Sequence, residues 1–155
     1  MKRIGSIVIN WALVILWMIL IFSFSTQPFS SEKSTPFLAA VLADLLPHGL
    51  ARHMETIVYL IRKLSHCSEY FILGILLMRA LKAQIPRQPA LRRMLWSILL
   101  ATLYAVTDEY HQMLVPGRSA NLLDVVIDSF GALCGTLWCH LRNRSDKSLS
   151  KSPGT

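Results

Sequence analysis

Residues 4–31, IGSIVINWALVILWMILIFSFSTQPFSS, run for 28 positions without a charged side chain, with the apolar block 7–24 at their centre. A helix needs ~20 such residues to cross a hydrocarbon layer of ~30 Å, so this stretch predicts a membrane-spanning helix. Met1-Lys2-Arg3 ahead of it is typical of the start of a signal peptide. The apolar run is longer than a signal core and no A-x-A cleavage site follows, which predicts an uncleaved anchor.

Composition agrees with that span. The 155 residues fit one domain, and they are 53% hydrophobic and 16% charged, where an ordinary soluble domain carries roughly 25% charge. Mean hydropathy is +0.44. These values exclude a disordered chain and a disulfide-rich secreted module, and they argue against a soluble enzyme. Cys67, Cys134 and Cys139 are odd in number, lack CxxC spacing and sit in apolar runs. They read as small hydrophobic residues.

Three further spans are less clean. Their longest uncharged stretches are 70–78, 94–107 and 129–141, of 9, 14 and 13 residues. Fourteen helical residues cover only ~21 Å, short of a bilayer. Extension through flanking polar residues gives 57–78, 95–113 and 122–141, all long enough. That extension puts ionisable groups at membrane depth, where they mark function.

Charge placement decides for four spans over a soluble bundle. With both termini inside, the inner segments are the N-terminus, the link 79–93 and the tail from Arg142. They hold eleven basic residues against one acid, Asp146, while the remainder holds five basic residues and eight acids. This is the positive-inside pattern of a multi-pass protein of the cell membrane with both termini cytoplasmic. It also sets aside nucleic acid as the partner of a chain whose net charge is +7.

Between spans one and two, Ser34-Thr35-Pro36 is a helix start, and Phe37, Leu38, Val41, Leu42 and Leu45 recur at helical spacing until Leu46-Pro47-His48-Gly49. This predicts a short amphipathic helix in the outer interface or over the bundle. The expected fold is all-α: a four-transmembrane-helix bundle with this interfacial helix. Residues 1–141 form the membrane domain, and 142–155 a disordered basic cytoplasmic tail.

The topology gathers polar groups at one depth near the outer surface. Span two brings Lys63, His66 and Glu69, span three Asp108, Glu109, His111 and Gln112, and span four Asp124 and Asp128. Arg118 lies in the connection Val115-Pro116-Gly117-Arg118-Ser119. Lys63, His66 and Tyr70 share one helix face, as do Asp108, His111 and Gln112. Asp124, Asp128, Gly131 and Gly135 align on another, and Gly131 with Gly135 makes a GxxxG that permits close helix approach.

The chemistry of this set is definite. An unpaired charge at bilayer centre costs roughly 2.5–3.5 kcal/mol, so Lys63 and Arg118 are expected to pair with Asp108, Glu109 and Asp124. His66, with Asp108 or Glu109, is the candidate acid/base pair, and Glu69 and Asp124 complete the candidate catalytic set. Lys63, Gln112 and Arg118 are the candidate substrate contacts, with Lys63 and Arg118 as an anion clamp.

Plainer readings stand beside these. Residues 108–112 are a solvated loop capping span three, His66 is a hydrogen-bonded packing residue, Lys63 and Glu69 form a structural ion pair, and Arg118 anchors its loop to lipid phosphates. Ser25 and Gln27 read as a polar helix end. The His and carboxylate set contains no HExxH or similar signature, so no metal is assigned, and no cofactor motif is present.

The motifs resemble the VanZ-like family of small membrane proteins. The matching residues are Trp17 with Ile21-Phe22-Ser23-Phe24-Ser25-Thr26-Gln27, Lys63-Leu64-Ser65-His66 with Glu69-Tyr70 and Leu73-Gly74, and Asp108-Glu109-Tyr110-His111-Gln112. Pro116-Gly117-Arg118, Asp124 and Gly131 follow. The likeness covers about residues 10–137. One departure is Asp128, where family members often carry asparagine. The resemblance implies a four-helix membrane fold and a cell-envelope role related to glycopeptide (teicoplanin) resistance, with no assured reaction.

Three functions compete on these residues. The first is an enzyme acting on a membrane lipid or lipid-linked cell-wall precursor at the outer leaflet. The second is a non-catalytic envelope scaffold or antibiotic-binding protein using the same cluster. A transporter ranks last, because the inner halves of the spans carry no ionisable path.

Overall fold

The absence of any proline between Pro47 and Pro86 lets one helix run far longer than its uncharged core. In the computed structural model, which describes residues 2–26, 38–42, 53–115 and 121–149, that helix extends over Met54–Gln84. We number the helices α1 (Lys2–Phe24), α2 (Met54–Gln84), α3 (Ala90–Met113) and α4 (Leu122–Leu149). Among the described residues there is no strand. Residues 38–42 are helical, within the expected interfacial helix; the rest of that helix lies outside the described residues.

All four helices are long and apolar enough to cross a membrane, over Arg3–Phe24, Met54–Gln84, Ala90–Met113 and Leu122–Asn143. The link expected over 79–93 is much shorter. Arg79 and Lys82 still belong to α2, and Arg92 and Arg93 already belong to α3. Arg, Lys, Ala and Gln are good helix formers, so losing hydrophobicity does not end the helix. Proline ends it: Ile85, the residue before Pro86, takes φ −121° and ψ 59°. Pro89 then caps α3, and the Arg93 guanidinium closes the turn by donating to the carbonyls of Pro86 and Gln88.

The far end of α4 corrects a second expectation. The tail expected to be disordered from Arg142 is helical through Leu149. Asn143 donates to the Cys139 carbonyl one turn back and accepts from Lys82 of α2 at 2.5 Å, which ties the extension to its neighbour. Residues 150–155 lie outside the described residues.

α2 packs against each of the other three helices. Its closest approach is to α4, and glycine makes it possible. A Cβ on Gly131 would collide with the Cys67 carbonyl, one on Gly135 with that of Phe71, and one on Gly74 with that of Ala132. The GxxxG is therefore a backbone-to-backbone contact, as expected. Within α1, three polar ties reach other helices: Trp11 Nε1 donates to Gln84 Oε1 at 2.8 Å, Trp17 Nε1 to the Glu69 carbonyl at 2.9 Å, and the Tyr104 hydroxyl to the Met18 carbonyl at 2.6 Å. Ser97 joins α3 to the Gly74 carbonyl and to Thr136, both at 3.2 Å.

The buried core is small, built on Val14, Ile21, Tyr70, Leu73, Leu77, Ala80, Ala101, Ala105 and Ala132. Large apolar side chains instead cover the outside. Ile9, Val126 and Phe130 are each about 60% exposed. An apolar belt of this extent is the surface of a protein whose solvent is lipid.

Candidate functional site

Antiparallel packing brings the C-terminal ends of α1 and α3 beside the N-terminal halves of α2 and α4. The polar residues of all four meet there. Asp108 is 2% exposed and is held from two sides. Ser25, just past α1, donates its hydroxyl to Oδ1 at 2.5 Å, and Gln112, one turn on in α3, donates to Oδ2 at 2.9 Å. The expectation that Ser25 is only a polar helix end is corrected: it is buried at the centre of this network.

Residues 108–112 are helical, and Asp108, Glu109 and Gln112 point into the bundle. This overturns the solvated-loop alternative. The cause is spacing: positions 108, 109 and 112 repeat at one and four residues, one helix face shared with Ala101 and Ala105.

The Lys63 ammonium pairs with Asp124 in the first turn of α4, as charge balance at membrane depth requires. Lys63 is thus engaged by a carboxylate from another helix, and neither the Lys63–Glu69 pair nor a free anion clamp describes it. Glu109 accepts the backbone N–H of Asn121. Asn121 in turn caps α4, its side-chain oxygen accepting from Leu123 N–H at 3.0 Å. Glu109, a candidate catalytic residue by sequence, fixes where α4 begins.

The carboxylate beside His66 is Asp128, with Nδ1 3.9 Å from Oδ1. The sequence had paired His66 with Asp108 or Glu109. The correction follows from the glycine contacts, which draw α4 against α2 and set Asp128 one turn above Gly131 facing His66. Glu69 faces another way. It lines a groove of about 440 Å³ along α2 with Trp17, Ile61, Ser65, Ser68 and Ile72, open to the lipid-facing side. Arg118 and Gln27 lie outside the described residues.

The buried atoms at this end without a hydrogen-bond partner among the described residues include the Tyr70 hydroxyl and Asp128 Oδ1. Tyr70 is 0% exposed and Asp128 2%. His111 Nδ1 is another, on a ring tilted against that of Phe22 with centroids 4.3 Å apart. Each unsatisfied buried group costs about 1–3 kcal/mol. Tyr70 and Asp128 were visible in the sequence as face-sharing residues, Tyr70 also within a family-matching motif and Asp128 as a departure from the family's usual asparagine. Their signal was the helical step from Lys63 and His66 to Tyr70, and from Asp124 to Asp128. No three His, Cys, Asp or Glu side chains among the described residues are grouped to hold a metal ion.

Comparison with known proteins matches residues 10–143 to the family model described as VanZ/LLP1. No curated protein and no solved structure matches the chain. The match spans most of the sequence, and the chain belongs to the VanZ/LLP1 family.

Proposed function

We propose, from this family membership and the buried polar cluster, that the protein is a cell-envelope membrane protein that binds the headgroup of a membrane lipid or lipid-linked cell-wall precursor. The observation that carries the reading is the pair of unsatisfied buried atoms, Tyr70 Oη and Asp128 Oδ1, on facing helices at the polar end. A headgroup hydroxyl or amine donates to Asp128, and an oxygen of the same group accepts from Tyr70. Lys63 is engaged with Asp124, so Arg118 is the side chain for a headgroup phosphate.

In this reading both termini are cytoplasmic and the site faces the outer leaflet, in line with the positive-inside distribution. A cysteine at Ser119, in a background without the three native cysteines, then labels with an impermeant maleimide in intact cells. Labelling only after permeabilisation inverts the orientation.

A catalytic version of the reading is favoured by the His66–Asp128 juxtaposition, which sets a carboxylate 3.9 Å from an imidazole as a candidate acid/base pair. The test is a comparison of envelope lipids and lipid-linked precursors among a deletion strain, the wild type, and His66→Ala and Asp128→Asn variants at matched expression. One species accumulating in the deletion and both variants identifies the substrate class. If lipid levels are unchanged throughout, catalysis is excluded, and loss of lipid retention by purified Asp128→Asn supports binding alone. Unaltered retention in that variant overturns the site.

A further inference from the structure

The opposite end of the bundle holds a second site, built from charges of one sign. Between the last turns of α2 and the end of the α4 span lies a groove of about 430 Å³ lined by Ile75, Arg79, Lys82, Trp138, Arg142 and Asn143. Arg79 and Lys82 are one turn apart on α2, and Trp138 and Arg142 one turn apart on α4, so three cations border one concavity. Residues 70–107 and 129–145 contain no Asp or Glu. Asp146, one turn past Arg142 on α4, is the single acid in 70–107 and 129–149 together, against seven Arg and Lys of the same helical ends.

The groove is also organised. Lys82 Nζ donates to Asn143 Oδ1 at 2.5 Å, and the Asn143 amide donates to the Cys139 carbonyl. This chain of bonds fixes the floor and leaves two of the three Lys82 ammonium protons without an acceptor among the described residues. Arg93 at the same end differs, since loop carbonyls take up its guanidinium. Trp138 is 56% exposed beside Ile75, giving the groove an aromatic and aliphatic wall next to its cations. Tryptophan favours the headgroup level of a bilayer, and basic pockets between spanning helices suit anionic headgroups.

We propose that this groove binds the headgroup of an anionic phospholipid from the leaflet bordering the basic end. The phosphate sits between Arg79, Lys82 and Arg142, and an acyl chain lies along Trp138 and Ile75. Charge complementarity and the apolar wall together select a lipid over a soluble anion: three cations around one groove repel each other until an anion enters, and only a lipid also covers the wall.

The test uses the full chain, exchanged from detergent into an equal mixture of phosphatidylglycerol and phosphatidylcholine. Retained lipid is read by mass spectrometry of the intact protein. The wild type is expected to retain phosphatidylglycerol preferentially, and Arg79→Gln with Arg142→Gln to reduce that preference at least about fivefold. Arg87→Gln with Arg92→Gln removes the same charge elsewhere at this end and is expected to leave the preference unchanged. If the double groove variant fails to fold, Arg142→Gln alone, at an exposed position, is read in the same way. Equal retention of the two lipids by the wild type overturns the proposal, as does an equal loss in both double variants. Displacement of the bound lipid by millimolar inorganic phosphate also overturns it, by showing a soluble-anion site.

Discussion

The two ends of the bundle solve opposite problems with charge. At the polar end, Asp108, Glu109, Asp124 and Asp128 are buried, and each of the first three is engaged by a named partner from another element: Ser25, Asn121 and Lys63. At the basic end, Arg79, Lys82, Arg92 and Arg142 are exposed, and ties such as Lys82 to Asn143 lie at the surface. Buried charge must be matched within the fold because lipid and protein offer it no solvation. Exposed charge at an interface is matched by water and headgroups. The lesson is that acids at the polar end are fixed in position by partners within the fold, while cations at the basic end stay exposed at the surface.

The largest expected effect tests this contrast directly. Lys63→Ala leaves Asp124 buried without its counter-charge and is expected to cost about 3 kcal/mol in unfolding measured in bicelles. Lys82→Ala, the matched change at the basic end, is expected to cost under about 0.5 kcal/mol. Equal losses at the two positions break the comparison.

A smaller effect is expected where the helices that carry both ends touch. Gly135→Val drives side-chain atoms into the Phe71 carbonyl and is expected to lose about 2 kcal/mol, with Gly5→Val, which meets nothing within 4 Å, as the silent control. If thermal unfolding is unchanged in Gly135→Val, the α2–α4 contact does not set the register of Asp128 against His66. The smallest effect separates two serines two residues apart. Ser25→Ala loses the bond to Asp108 and is expected to cost about 1 kcal/mol, whereas Ser23→Ala loses only a bond to the Ile19 carbonyl within its own helix and stays near zero. A double-mutant cycle with Asp108→Ala sharpens the result: coupling confined to Ser25 assigns the loss to the buried pair.

Much of the fold was legible. An uncharged run such as 4–31 is a statement about solvent, and the step from Asp124 through Asp128 and Gly131 to Gly135 is a statement about one helix face; neither needs a partner to be read. Helix ends were less legible, because span length was judged by hydrophobicity while prolines 86 and 89 set the actual boundaries. In the site, Lys63 with Asp124 followed from charge balance. His66 with Asp128 did not, because four carboxylates at similar depth are equivalent until two helices are placed side by side.

The sequence by itself determined that this chain lives in a membrane as four helices with most of its acids toward one end and most of its bases toward the other. Those properties are periodicities and sums along the chain. The tertiary structure alone decided which carboxylate stands beside His66, that Ser25 belongs to the centre of the cluster, that Glu109 serves the start of α4, and that Tyr70 and Asp128 bury polar atoms without a hydrogen-bond partner among the described residues. Each of these depends on the distance and rotation between helices, which the contacts of Gly74, Gly131 and Gly135 with facing carbonyls set for α2 and α4.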